Sequence, residues 1–221
     1  MVRDNFSIFC RRWADRNFRI RRKKRDKFVS WYRNSKIEIF SNNSCKFGYR
    51  ESIFKKNKNK YIILNVTFKL NKIPEFVLNY SALETELKNL KNFTISDIRD
   101  IIIKIRKCKL PDHALIGNAG SFFKNPIISS DVIKTLKKEY NSLPTFDVSD
   151  NKVKIAAGWL IEQCGWKGKK IGNVGVYINQ SLVIVNYGNA KGSEILALSK
   201  EIQKSIYNKF GINLETEVNI Y

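Results

Sequence analysis

YIILNVTFKL, residues 61–70, puts Ile62, Leu64, Val66, Phe68 and Leu70 on one side of an extended chain. That is the period-2 pattern of a β-strand with one apolar face. TISDIRDIIIKIRK, residues 94–107, follows with a different period. Thr94 and Asp97 fit a capping box, and Ile98, Ile101, Ile102 and Ile105 then recur at the spacing of a helix with one buried stripe. Working outward, residues 36–40 (KIEIF) alternate like a strand, and residues 130–140 predict a helix with Ile133, Leu136 and Tyr140 turned inward. Residues 153–164 read as a helix ended by Gly165, and 174–176 and 182–185 as strands. Ser193 is placed to cap a helix that buries Ile195, Leu198, Ile202 and Ile206 and stops at Gly211; residues 212–220 then alternate again. Strands and helices mix without a strict βαβ rhythm, so the fold class is α+β.

The chain has 221 residues, 43% of them hydrophobic and 12% aromatic, enough to build a core rather than a disordered polymer. No run approaches the roughly 20 apolar residues that cross a bilayer. Charges interrupt the apolar residues of the start, which therefore does not read as a signal peptide, and the expected location is the cytoplasm. Cys10, Cys45, Cys108 and Cys164 are scattered without metal-ligand spacing, so reduced thiols are expected. The net charge of +21 is unevenly spread. Residues 1–36 hold 13 of the 41 Lys and Arg against three acids, and nine of the arginines; only Arg50, Arg99 and Arg106 follow. Three readings of this segment compete: a basic arm on nucleic-acid phosphates, a solvated helix, and translation of an out-of-frame gene start. No fold is assigned to it.

GNAGSFFKNP, residues 117–126, is the most unusual local sequence. Two glycines let backbone approach a ligand closely, and they lead to Ser121, Lys124 and Asn125. A plain turn packing two phenylalanines is the competing reading. A serine hydrolase is a poor match, since the pattern is not G-x-S-x-G and His113 is the one histidine. In LETEV, residues 214–218, Glu215 and Glu217 share a strand face, where mutual repulsion would raise at least one pKa; a solvated strand face is the alternative.

Together and in order, GYRESIFK (48–55), GNAGSFFKNP (117–126), AAGWLIEQCGWKG (156–168) and FGINLETEV (210–218) resemble consecutive blocks of the UDP-N-acetylenolpyruvoylglucosamine reductase (MurB) family, from about Lys36 to the C-terminus. The resemblance implies an oxidoreductase of peptidoglycan precursor synthesis. NADPH reduces FAD, and the flavin passes hydride to UDP-N-acetylglucosamine enolpyruvate. It implies catalytic roles for three residues. Arg50 and Glu217 flank the nascent enolate, and Ser121 donates a proton to the adjacent carbon. It implies substrate contacts at Tyr80, Lys109, Lys124, Asn125 and Gln180, with Tyr80 on a substrate loop and the two lysines suited to the diphosphate. Tyr177 departs from the basic residue or histidine common there.

The resemblance also implies a domain plan. Residues 1–36 form a basic segment outside the match, and 37–109 the remnant of a flavin-binding domain. Residues 110–208 form an α+β substrate-binding domain, and 209–221 a C-terminal strand carrying the catalytic glutamate. A glycine-rich, phosphate-cradling run is expected just before the first matching strand. WADRNFRIRRKKRD, residues 13–26, stands there instead, and no glycine precedes Gly48. FAD binding therefore carries over to no named residue, and the expectation is an incomplete chain, inactive as a reductase, with some apolar surface uncovered. The alternative is a nucleic-acid-binding protein that uses residues 1–36.

Overall fold

The computed structural model describes residues 25–32 (backbone path), 37–57, 60–68, 73, 76, 81–88, 92–149 and 151–220. The chain divides into two compact units, Met1–Tyr80 and Ser81–Tyr221.

The first unit is a three-stranded antiparallel sheet in the order β2-β1-β3, built from β1 (Arg25–Tyr32), β2 (Ile37–Ser41) and β3 (Tyr61–Phe68). Residues 25–32 of the basic segment, to which the sequence alone gives no fold, thus supply the central strand: Phe28 pairs with Phe40 and Val66, and Trp31 with Ile37 and Ile62. A short helix, α1 (Ile53–Lys56), is capped by the Ser52 hydroxyl, which accepts from Lys55 N–H. Phe40, Phe54 and Tyr61 meet edge to face, with centroids 5.4–5.6 Å apart, the favoured geometry for aromatic quadrupoles. Ile37, Ile39, Ile62 and Leu64 are exposed.

The second unit opens with α2 (Ser81–Leu87) and α3 (Ile95–Lys109), which Lys104 and Glu86 join at 2.9 Å. The predicted capping box is present: Thr94 Oγ1 accepts from Asp97 N–H, and Asp97 Oδ2 accepts from Thr94 N–H at 2.7 Å. The isoleucine stripe of α3 is half-buried rather than buried. Two antiparallel sheets follow. One has the order β4-β10-β9-β8, from β4 (Gly117–Ser121), β8 (Lys170–Ile171), β9 (Val174–Val176) and β10 (Val183–Asn186). The other has the order β5-β7-β6, from β5 (Ile127–Ser129), β6 (Thr145–Ser149) and β7 (Lys152–Ile155). Three helices complete the unit: α4 (Ser130–Glu139), α5 (Ala157–Gln163) and α6 (Gly192–Phe210). Leu198, Ile202, Ile206 and Phe210 of α6 lie in one buried cluster with Leu160 and Ile161 of α5 and with Val176 and Ile184 of the first sheet.

Three sequence expectations change here. Residues 153–164 are half strand and half helix. Val153 and Ile155 alternate inward between flanking lysines while β7 pairs with β5 and β6, and the helix begins only at Ala157. β-Branched residues alternating with lysine suit a central strand better than a helix. The helix does end in a Schellman motif, with Gly165 at φ +73°, Gly165 N–H on Glu162 O and Trp166 N–H on Ile161 O. Second, α6 starts before Ser193, because Glu194 Oε2 reaches back to Lys191 N–H at 2.7 Å and does the capping. Third, the predicted C-terminal strand is reduced to one bridge, Phe123 with Thr216. Among the described residues no helix is long and apolar enough to cross a membrane, and no group of three or more His, Cys, Asp and Glu is placed to hold a metal.

Candidate functional site

The site residues of the second unit gather where β4 ends. Three steps along β4, Asn118 to Ser121, face two along β10, Val185 to Val183, so the strand carries an extra residue. Gly120 lies within the slip at φ +69°, a conformation that an L side chain adopts only at a cost. Asn118 holds the irregularity: its Oδ1 accepts from Gly120 N–H at 3.0 Å, a short-range turn that asparagine favours. Such a bulge re-aims the next side chain, and here that is Ser121, only 3% exposed. Asn118 was not singled out from sequence, although its place two residues before a glycine is the signal that could have found it.

Beyond Ser121, Phe122 joins two other segments. Its N–H donates to Leu182 O, and its carbonyl accepts from Glu217 N–H, both at 2.7 Å. The Tyr177–Leu182 turn and the C-terminal segment therefore flank the serine. Glu217 is half-buried with Oε2 fully covered. Buried Ile212 and Leu214 hold its segment in place, with Gln203 Nε2 donating to Leu214 O at 2.7 Å.

Lys124 Nζ reaches Glu215 Oε2 at 2.6 Å. The sequence left two readings of Glu215 and Glu217, mutual repulsion that raises a pKa and an ordinary solvated strand face. The hydrogen bond and charge of Lys124 hold the Glu215 carboxyl below its ordinary value of 4.5. A depressed carboxylate adds stability above its unfolded pKa and loses it as pH falls through the folded value. Amide exchange at Glu217 is thus expected to quicken as pH drops below 4.5, once corrected for the intrinsic rate, and to do so less in Lys124→Met. The effect is small, because Glu215 is largely exposed and water screens the pair. An identical pH response in both proteins would remove the ion pair from the account.

Asn125 Oδ1 accepts the first N–H of α5, from Ala157 at 3.0 Å, which leaves its Nδ2 as the group able to face a ligand. Gln180 sits in the turn between β9 and β10, where its N–H donates to Tyr177 O and its carbonyl accepts from Val183 N–H. Lys109 is exposed at the C-terminal end of α3. That end touches the same turn, because Asn179 Nδ2 donates to Cys108 O at 3.1 Å. The Ser121 strand, the Gln180 turn and the Glu217 segment thus meet at Phe122, Lys124 reaches Glu215 two residues before Glu217, Asn125 holds α5, and Lys109 follows the residue that bonds the same turn.

Arg50 belongs to the first unit. It sits at φ +57° in the turn between Gly48 and Ser52, its carbonyl accepts from Lys55 Nζ at 2.7 Å, and its guanidinium carbon lies 5.9 Å from the Tyr49 ring centroid. A left-handed non-glycine residue is strained, and such strain persists where the surroundings over-determine it. Tyr80 lies outside the described residues. The flavin fits poorly. The one glycine ahead of residue 117 is Gly48, whose N–H is committed to Glu51 O at 2.9 Å. Among the described residues of the first unit there is no glycine-rich run to cradle the FAD diphosphate.

Residues 111–221 match the family model described as UDP-N-acetylenolpyruvoylglucosamine reductase, C-terminal domain. The chain is 45% identical over 204 residues to the UDP-N-acetylenolpyruvoylglucosamine reductase of Flavobacterium johnsoniae, covering 89% of this chain and 60% of that protein. It is 47% identical over 189 residues to the Porphyromonas gingivalis enzyme of the same name, covering 85% and 56%. The crystal structure of UDP-N-acetylenolpyruvylglucosamine reductase (MurB) from Thermus caldophilus superposes with a TM-score of 0.54 at 19% identity, over 90% of this chain and 54% of the other, which bears on the fold alone. The chain therefore spans little more than half the length of the relatives it matches.

Proposed function

This chain belongs to the UDP-N-acetylenolpyruvoylglucosamine reductase family, and from that premise we propose that its second unit holds UDP-N-acetylglucosamine enolpyruvate and delivers a proton to it. The observation that carries this reading is the junction at Phe122, where the Ser121 strand, the Gln180 turn and the Glu217 segment are bonded side by side.

Reduction of an enolpyruvyl ether leaves negative charge beside the substrate carboxylate, and a proton must then reach the neighbouring carbon. Ser121 suits that delivery, because a serine only 3% exposed has little bulk water beside it to compete for the carbanion, and the Gly120 bulge limits where it can point. The half-buried Glu217 carboxyl takes the enolate side, and a catalytic role for Arg50 rests on the family resemblance alone. Lys124 Nζ can exchange Glu215 for diphosphate oxygens, with Lys109 as a second cation. Asn125 Nδ2 and the Gln180 amide supply neutral donors for the sugar nucleotide, and Tyr80 is assigned to the same ligand by resemblance. In the family reaction the hydride comes from NADPH by way of FAD. The described residues of the first unit offer no glycine-rich cradle for FAD, so the reading is confined to the substrate-holding part of a cytoplasmic peptidoglycan-precursor enzyme. No observation favours a nucleic-acid partner.

Calorimetric titration with UDP-N-acetylglucosamine enolpyruvate tests the reading. Saturable one-site binding is expected in the range of about 1 μM to 1 mM, from protein that shows no flavin absorption band. Heats no different from dilution would overturn the binding claim, and a copurifying flavin band would overturn the claim about FAD.

A further inference from the structure

We propose that Glu162 is a positioning residue, which pins the Tyr177–Val183 turn, and Gln180 with it, onto α5 by accepting the Ser181 hydroxyl. The inference rests on the reading of Gln180 as a ligand contact. Ser181 is 1% exposed, and its Oγ lies 2.6 Å from Glu162 Oε1. A hydroxyl so deeply buried needs an acceptor, and a carboxylate makes the shorter, stronger bond. Lys167 Nζ, 3.2 Å from the same oxygen, balances the charge, and Glu162 remains partly exposed, so the carboxylate keeps some hydration.

One face of α5 makes these contacts. Gly158 and Glu162 are four residues apart and so lie on the same side of the helix. A Cβ at Gly158 would stand 3.6 Å from Leu182 Cγ and 3.8 Å from Gln180 Oε1, so the helix lies directly against the turn there. The first N–H of α5 is held by Asn125, four residues after Ser121. The helix is therefore a strut, with the serine strand at its N-terminal end and the Gln180 turn against its side. Asn179 ties the same turn to Cys108, next to Lys109. Ser181 and Glu162 hold the turn by its one buried hydroxyl, and the groups assigned to the ligand stand around it.

The test compares binding of UDP-N-acetylglucosamine enolpyruvate by the parent chain and by E162A, S181A, E162Q and the double variant E162A/S181A. E162A and S181A are each expected to weaken binding about tenfold. The double variant should be no worse than the weaker single one, as for two halves of one interaction. E162Q keeps an acceptor for Ser181 and should bind within about threefold of the parent, a rescue that loss of general stability would not produce. Should S181A fail to fold, the partly exposed E162A carries the same comparison. Parent-like affinity in E162A, or an E162Q as weak as E162A, would overturn the proposal. If the parent chain itself does not bind, the functional reading fails, and amide exchange then decides the inference. Faster exchange at Gln180 and Val183 in E162A, with α5 unchanged, sustains the latch; unchanged exchange there refutes it.

Discussion

Phe123→Ala is expected to destabilise the second unit by about 3–5 kcal/mol, the cost of removing a large aromatic from a closed core. Phe123 is 1% exposed, packs on Phe122 with centroids 5.2 Å apart, and belongs to the buried cluster shared with α5 and α6. It also makes the bridge to Thr216, the residue before Glu217. The cavity should therefore be felt twice, in global stability and in the docking of the C-terminal segment. Urea unfolding followed by circular dichroism measures the first effect, and exchange of the Glu217 amide, which donates to Phe122 O, measures the second. A loss under about 1 kcal/mol, in the range of an ordinary surface change, would mean that Phe123 does not anchor the core.

The second large effect concerns binding. Lys124→Glu should lower affinity for the sugar nucleotide at least about 100-fold, since it replaces a charge-assisted phosphate contact by repulsion. It also sets a second carboxylate beside Glu215, now 2.6 Å from the lysine. Two controls separate these consequences. Glu215→Gln removes the ion pair and keeps the cation, so it should bind as well as the parent or better, because Lys124 no longer has to leave a carboxylate. Raised ionic strength should weaken the parent and leave Lys124→Glu little changed. Unaltered affinity in Lys124→Glu would remove this lysine from the binding account.

Where the sequence was read well, the determining interactions are local. The Thr94–Asp97 box and the Gly165 and Gly211 stops lie within a few residues of the carbonyls and N–H groups they satisfy. Where it was read less well, two local patterns were compatible with one stretch. The KVKI of β7 has apolar spacing that serves either state until β5 and β6 close on both of its edges. The isoleucines of α3 keep a helical period but reach only half burial, because period tells which residues share a face and not how completely that face is covered. The same holds for Ile62 and Leu64, which share a strand face and are exposed.

The candidate site divides in the same way. Its residue types were legible as blocks of family-like sequence, and Gly120 was legible as a point of backbone freedom. Glu162 and Ser181 were not, since serine and glutamate are ordinary surface residues until burial brings them within 2.6 Å.

Sequence alone was enough to determine the Thr94–Asp97 cap, the Gly165 and Gly211 stops, the α+β class and the kinship of the chemical blocks, since each is written in residues close together or in unbroken runs. Folding alone decided that Lys124 meets Glu215 across 91 positions, that Phe122 joins the Gln180 turn to the Glu217 segment, and that Gly120 slips the register beneath Ser121. The physical reason is that a backbone hydrogen bond is the same for every residue. Which strand edges meet is settled by burial of the whole core, and no local period contains that information.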